Sequence, residues 1–103
     1  MGLRQDLRGI RPPTAEPMSV VMWTAPNCPQ CRRTQAMLTR HDVPVTVKAL
    51  DDSILAFAEE AGFREAPVVL GVRPDGTSEW WSGMDFERIA EFVGLARKAA
   101  NNA

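Results

Sequence analysis

Both cysteines of this chain fall in "WTAPNCPQCRR", Trp23 to Arg33, with two residues between them. A C-x-x-C spacing can serve three chemistries: half of a metal site, a short structural disulfide, or a dithiol that cycles between thiol and disulfide. A structural zinc site needs four ligands, and the chain offers Cys28, Cys31 and the single His41. Two cysteines are half a site, which only a dimer sharing a metal or an iron–sulfur cluster could complete. A staple gains little, because closing so short a loop restricts little of the unfolded chain. Thiol–disulfide chemistry is the reading that needs nothing further from the chain.

A reactive pair has to be held by elements. "MSVVMWT", residues 18–24, is a short apolar, β-branched run that predicts a buried strand ended by Pro26. A helix is expected to start at the cysteines, with Pro29 in its first position and Thr34, Met37, Leu38 and His41 at helical spacing, until Asp42 and Pro44 stop it. His41 then stands near the last carbonyls of the helix. "VPVTVKAL", residues 43–50, alternates as a second strand, and Asp51 or Asp52 can cap a helix with Ile54, Phe57, Ala58 and Ala61 on one face, ended by Gly62. "PVVLGV" predicts a third strand, "RPDG" at 73–76 a tight turn, and "TSEWWS" a fourth strand. Asp85 can cap a last helix that buries Phe86, Ile89, Ala90, Val93 and Ala96.

The predicted order is βαβαββα. A strand, a crossover helix and a second strand form a right-handed parallel unit, whereas a tight turn pairs its strands antiparallel. The expected fold is α/β, a mixed four-stranded sheet flanked by helices. Residues 1–17, with Gly2, Gly9, Pro12, Pro13 and Pro17, are expected to form a flexible tail before a single domain spanning 18–103. C-x-x-C beside a βαβ pattern is the thioredoxin-like arrangement of a redox pair.

Position supplies the chemistry. A thiol attacks a disulfide as thiolate, and a free cysteine with a pKa near 8.5 is mostly protonated at neutral pH. Cys28 at a helix start meets unpaired backbone N–H groups and the positive end of the helix dipole, which favour the anion. Cys28 is therefore the expected nucleophile, and Cys31, one turn onward, the resolving thiol. Arg32 and Arg33 oppose the helix dipole. They stabilise the thiolate, greet an acidic partner, or simply point into water.

Composition excludes other classes. The 103 residues, 45% hydrophobic, suit one compact core. With 12 basic and 13 acidic residues and a net charge of −1, total charge recruits neither nucleic acid nor an anionic membrane. No run approaches the roughly 20 apolar residues of a spanning helix, and "MGLRQDLRGIRPP" has no secretory apolar core. A cytoplasmic, soluble protein is expected, in a compartment where paired cysteines are catalytic or metal-binding more often than structural.

Three blocks resemble the glutaredoxin-like NrdH redoxins, small dithiol proteins that donate electrons to class Ib ribonucleotide reductase. They are Thr24, Pro26, Asn27, Cys28, Gln30 and Cys31; "GFREAPVV" at Gly62 to Val69; and "WSGM" at Trp81 to Met84. The resemblance implies a thioredoxin/glutaredoxin-like fold, with Pro67, after Ala66 and before Val68, in the cis form beside the disulfide where an extended substrate segment pairs. It also implies that Trp81, Ser82, Gly83 and Met84 shape the site's surface. Pro26, Asn27, Pro29, Gln30 and Arg32 complete the set expected to face a partner. Without the resemblance, Pro67 is the first residue of a strand, and Trp80 and Trp81 simply alternate, one ring in the core and one partly exposed.

This chain departs from the pattern at Trp23 and Ala25, where the family has Tyr and Lys, and at Pro29, Met84 and "DFERI". The glutathione-binding signature of glutaredoxins is also mostly missing: Ala25, Glu65-Ala66-Pro67 and Ser82-Gly83, with Asp85 beyond, stand at the corresponding positions. The resemblance thus implies a monomer reduced by thioredoxin reductase with NADPH, carrying no cofactor beyond its dithiol and passing electrons to ribonucleotide reductase or another protein disulfide. The alternatives are a glutathione-dependent glutaredoxin and a metal- or cluster-bridged dimer.

Overall fold

A computed structural model describes residues 18–101; the expected tail at 1–17 lies outside the described residues. The elements are β1 (Ser19–Thr24), α1 (Pro29–Arg40), β2 (Val45–Ala49), α2 (Asp52–Ala61), β3 (Val68–Val72), β4 (Ser78–Ser82) and α3 (Phe86–Asn101). This is the expected βαβαββα order. The sheet runs β2-β1-β3-β4, with β1 and β2 parallel and the other neighbours antiparallel. Among the described residues, no helix is long and apolar enough to cross a membrane.

The central strands are buried on both faces, which is why they read as continuous apolar runs. Val20, Met22 and Val69 face Leu38 of α1 and Ile89 and Phe92 of α3, in a cluster that includes Cys31 and Trp81. Val21, Trp23, Val68, Leu70 and Val72 face Ala58 of α2, with Phe57 and Trp80 packed alongside. Adjacent residues of β4 thus serve opposite layers. Trp81 meets Phe92 edge-on at 5.7 Å, whereas Trp80 stacks on Trp23 at 5.6 Å and lies 4.3 Å from Phe57.

Local signals set the helix ends. Asp51 caps α2 by accepting the Ile54 N–H at 3.0 Å, and Gly62 closes it in the left-handed conformation at φ 82°. Asp85 Oδ1 accepts the Arg88 N–H at 3.1 Å at the start of α3. The buried faces differ from expectation in part. Phe86, predicted to be buried, is 64% exposed, and Ala90 and Ala61 are exposed, while Phe92 is 1% exposed. Periodicity marks a stripe on a helix but not its centre or how far the core beneath extends. The bare α-carbon of Gly71 decides the matter, since the Phe92 ring lies where a Cβ at that position would stand.

One charged network ties the hairpin to α3. Arg73, just after β3, donates to Glu91 at 2.7 and 3.2 Å and pairs with Glu79, which also pairs with Arg88. The Arg73 guanidinium also lies 5.6 Å from the Phe92 ring centroid. Its hydrogen bond holds the Glu91 carboxyl below the ordinary carboxylate range, against the opposing effect of burial. A carboxylate whose folded pKa is depressed contributes stability above its unfolded pKa and loses it as pH falls through the folded value. Arg73→Met keeps most of the aliphatic stem, and should lower the melting temperature at neutral pH by about 2–8 °C. Melting curves of both proteins should converge as pH is lowered through the depressed folded pKa of Glu91; a deficit independent of pH would assign the loss to packing.

Candidate active site

The site forms where β1 ends and α1 begins. Ala25, Pro26 and Asn27 make the turn, with Asn27 in the left-handed region at φ 54°. Asparagine tolerates that conformation better than most residues. Cys28 follows as the N-cap of α1, in extended conformation, and Pro29 takes the first helical position. The capping atom is a sulfur: Cys28 Sγ accepts the Cys31 N–H at 3.1 Å. The pair is joined as a disulfide with the α-carbons 5.2 Å apart. Cys28 is partly exposed, while Cys31 is 4% exposed and belongs to the core.

This geometry separates the two sulfurs chemically. A thiolate on Cys28 would keep the Cys31 N–H as donor and sit at the positive end of α1. Burial penalises the anion of Cys31, so the outer thiol is the one favoured as thiolate.

The remaining residues arrive from far along the chain. Ala66 and Pro67 are joined by a cis peptide bond, and Pro67 is buried. The Ala66 carbonyl oxygen lies 3.8 Å from Cys28 Sγ and accepts the Gln30 amide at 3.3 Å. A disulfide sulfur has no hydrogen to donate, so the sulfur contact is a van der Waals approach in the oxidised form. Gly83, at φ 72°, donates its N–H to the Pro67 carbonyl at 2.9 Å, which locks the two loops together. Thr34, fully buried one turn beyond Cys31, donates its hydroxyl to Met84 Sδ at 3.3 Å.

Cys28, Gln30, Cys31, Ala66, Pro67, Gly83 and Met84 of the expected set are therefore brought together. Pro26, Asn27, Pro29 and Arg32 lie exposed around them, and Ser82 is half-buried at the end of β4. Val68 and Trp81 are 3% and 4% exposed, so they support the site from beneath and offer a partner no side-chain surface. The Arg32 and Arg33 side chains are exposed and make no ion pair with any described residue. His41 caps the far end of α1, its N–H bonded to Leu38, and no group of three or more potential metal-ligating side chains occurs among the described residues.

Sequence reasoning overlooked two contributors. Thr34 was legible as the residue three places after Cys31, on the same helix face. Glu65 carried only a weak signal, a charge just before the Ala66-Pro67 bond, yet its side chain covers the α-carbon of Gly83.

Comparison with known proteins agrees with this geometry. The Glutaredoxin family model matches residues 20–71, half of the chain. The E. coli glutaredoxin-like protein NrdH-redoxin, whose solved structure addresses a thioredoxin-like activity profile, is similar with a TM-score of 0.57 and 26% identity, over 72% of this chain and 93% of that one. The global transcriptional regulators Spx of Staphylococcus aureus and Staphylococcus epidermidis are each 33% identical over 60 residues, 58% of this chain. The match spans 41% of the length of those curated relatives.

Proposed function

This chain belongs to the glutaredoxin family of thiol–disulfide oxidoreductases, and from that premise we propose that it is a dithiol electron donor to protein disulfides, that of ribonucleotide reductase foremost, and is itself reduced by thioredoxin reductase at the expense of NADPH. The observation that carries this reading is the asymmetry of the pair: a partly exposed Cys28 whose sulfur accepts the Cys31 N–H, beside a buried Cys31. The likeness to NrdH-redoxin over 93% of that chain supports the redoxin reading.

The reaction balances within the dithiol. The Cys28 thiolate attacks one sulfur of the substrate disulfide, forming a mixed disulfide and expelling the other sulfur as a thiolate that takes up a proton. Cys31 then loses its proton and attacks Cys28 Sγ. The Cys28–Cys31 bond forms, the mixed disulfide breaks, and the second substrate thiol leaves. Two electrons and two protons pass to the substrate, and the reductase returns them. The site needs no cofactor beyond the two sulfurs.

The choice of reductant rests on charge. Glutathione is an anion at neutral pH; the position beside the cysteines where the family has a cation is Ala25, and a carboxylate, Glu65, stands before Ala66. Following NADPH oxidation with a disulfide substrate should give turnover with thioredoxin reductase and little with glutathione plus its reductase. Turnover confined to the glutathione system would assign the protein to the glutathione-dependent glutaredoxins instead.

A further inference from the structure

Glu65 immediately precedes the residue whose carbonyl approaches Cys28, and it is exposed. Its side chain is seated over Gly83: a Cβ added there would stand 2.9 Å from Oε1, 3.4 Å from the Glu65 Cβ and 3.5 Å from Cδ. Gly83 in turn is bonded to the Pro67 carbonyl. The carboxylate is thus placed at the junction of the two loops that flank the disulfide. It makes no hydrogen bond or ion pair with any described residue, the neighbouring Arg64 included. Asp85, the next acid along this side, is committed to the cap of α3. The exposed cations Arg32 and Arg33 follow Cys31 on α1, so the residues near the pair in sequence and space carry both signs.

We propose that Glu65 selects the substrate by charge, favouring a disulfide segment that carries lysine or arginine beside the reacting cysteine and disfavouring an acidic one. The proposal rests on the dithiol donor reading above and names the substrate class for it. Exposed charges of this kind act mainly on encounter and discrimination rather than on tight binding, and their reach is about a Debye length, roughly 10 Å at 0.1 M salt.

The test uses the full chain, reduced beforehand and freed of reductant, in single turnovers with two cyclic disulfide peptides that differ only in flanking lysines or flanking glutamates. Each rate is normalised to that peptide's rate with dithiothreitol, which corrects for the effect of the flanking charges on the disulfide itself. The wild-type protein should prefer the lysine peptide by about two- to fivefold at low ionic strength, and the preference should shrink as salt is added. Glu65→Gln keeps the shape over Gly83 and removes the charge, so the ratio should fall to one or below, since the exposed arginines remain; Glu65→Lys should lower it further. A ratio unchanged in Glu65→Gln, an equal loss with both peptides, or a wild-type preference for the glutamate peptide overturns the assignment of Glu65. Failure of the wild-type protein to reduce either peptide overturns the dithiol reading together with it.

Discussion

Cys28→Ser is expected to abolish disulfide reduction, lowering turnover by about a thousandfold or more, because the remaining thiol, Cys31, is buried at 4% exposure and cannot close a disulfide with serine. Cys31→Ser should fail differently. Cys28 keeps its place at the helix N-cap, so the first attack proceeds, but the resolving thiol is gone and the mixed disulfide with the partner persists. Non-reducing electrophoresis and mass spectrometry of the Cys31→Ser protein after exposure to a disulfide-containing partner should therefore show a covalent adduct at Cys28. The same asymmetry should appear on alkylation of the reduced wild-type protein at neutral pH, with Cys28 modified before Cys31. Faster modification of Cys31 would reverse the roles, and with them the argument from burial and the capping sulfur.

Among the described glycines, Gly71 is the position where an added methyl group meets the closest contacts, and Gly71→Ala should be strongly destabilising. A Cβ at that position would stand under 3.0 Å from the Phe92 ring carbons Cε1, Cζ and Cε2. Phe92 cannot swing away easily, since it is 1% exposed and packed edge-on against Trp81. Overpacking of a filled core costs about 1–3 kcal/mol, and the clash here involves a ring held between a sheet and a helix, which argues for the upper end. For a domain of this size each kcal/mol lowers the melting temperature by about 4–8 °C. The remedy is specific. Phe92→Leu alone leaves a cavity and is destabilising, but combined with Gly71→Ala the two should cost less than their sum, a coupling that thermal or denaturant unfolding of the four proteins reads directly. Strict additivity would show that α3 shifts as a body to admit the methyl group.

The chemistry of the pair was legible because it is local. Cys28 caps the helix through atoms three residues apart, Pro29 suits the position it occupies, and Asp51, Gly62 and Asp85 mark helix ends through bonds within one turn. Strand order could also be inferred, since a short turn and a crossover helix leave few topologies. The helix faces were harder. The stripe on α3 pointed to Phe86 and Ala90 as well as Ile89, and only the sheet could decide among them, by offering a glycine where Phe92 fits.

By itself, then, the sequence determined the element order, the strand-to-helix seat of the cysteines and the difference between an outer and an inner sulfur, all consequences of hydrogen bonds and polarity within a few residues. What stands across from the pair was expected only through the family resemblance, and the tertiary structure is what brings it there. Ala66 lies 38 residues beyond Cys28 and Met84 lies 50 beyond Thr34, and they meet because β3 runs antiparallel to β1 in a register that pairs Trp23 with Val68, one residue after Pro67, while β4 pairs Ser82 with the same Val68. Register is a property of the whole buried sheet, enforced by side chains packed on both of its faces, and no local pattern encodes it. The placement of the Glu65 carboxylate over Gly83 follows from the same pairing, which is why a residue with little local signal stands at the rim of the site.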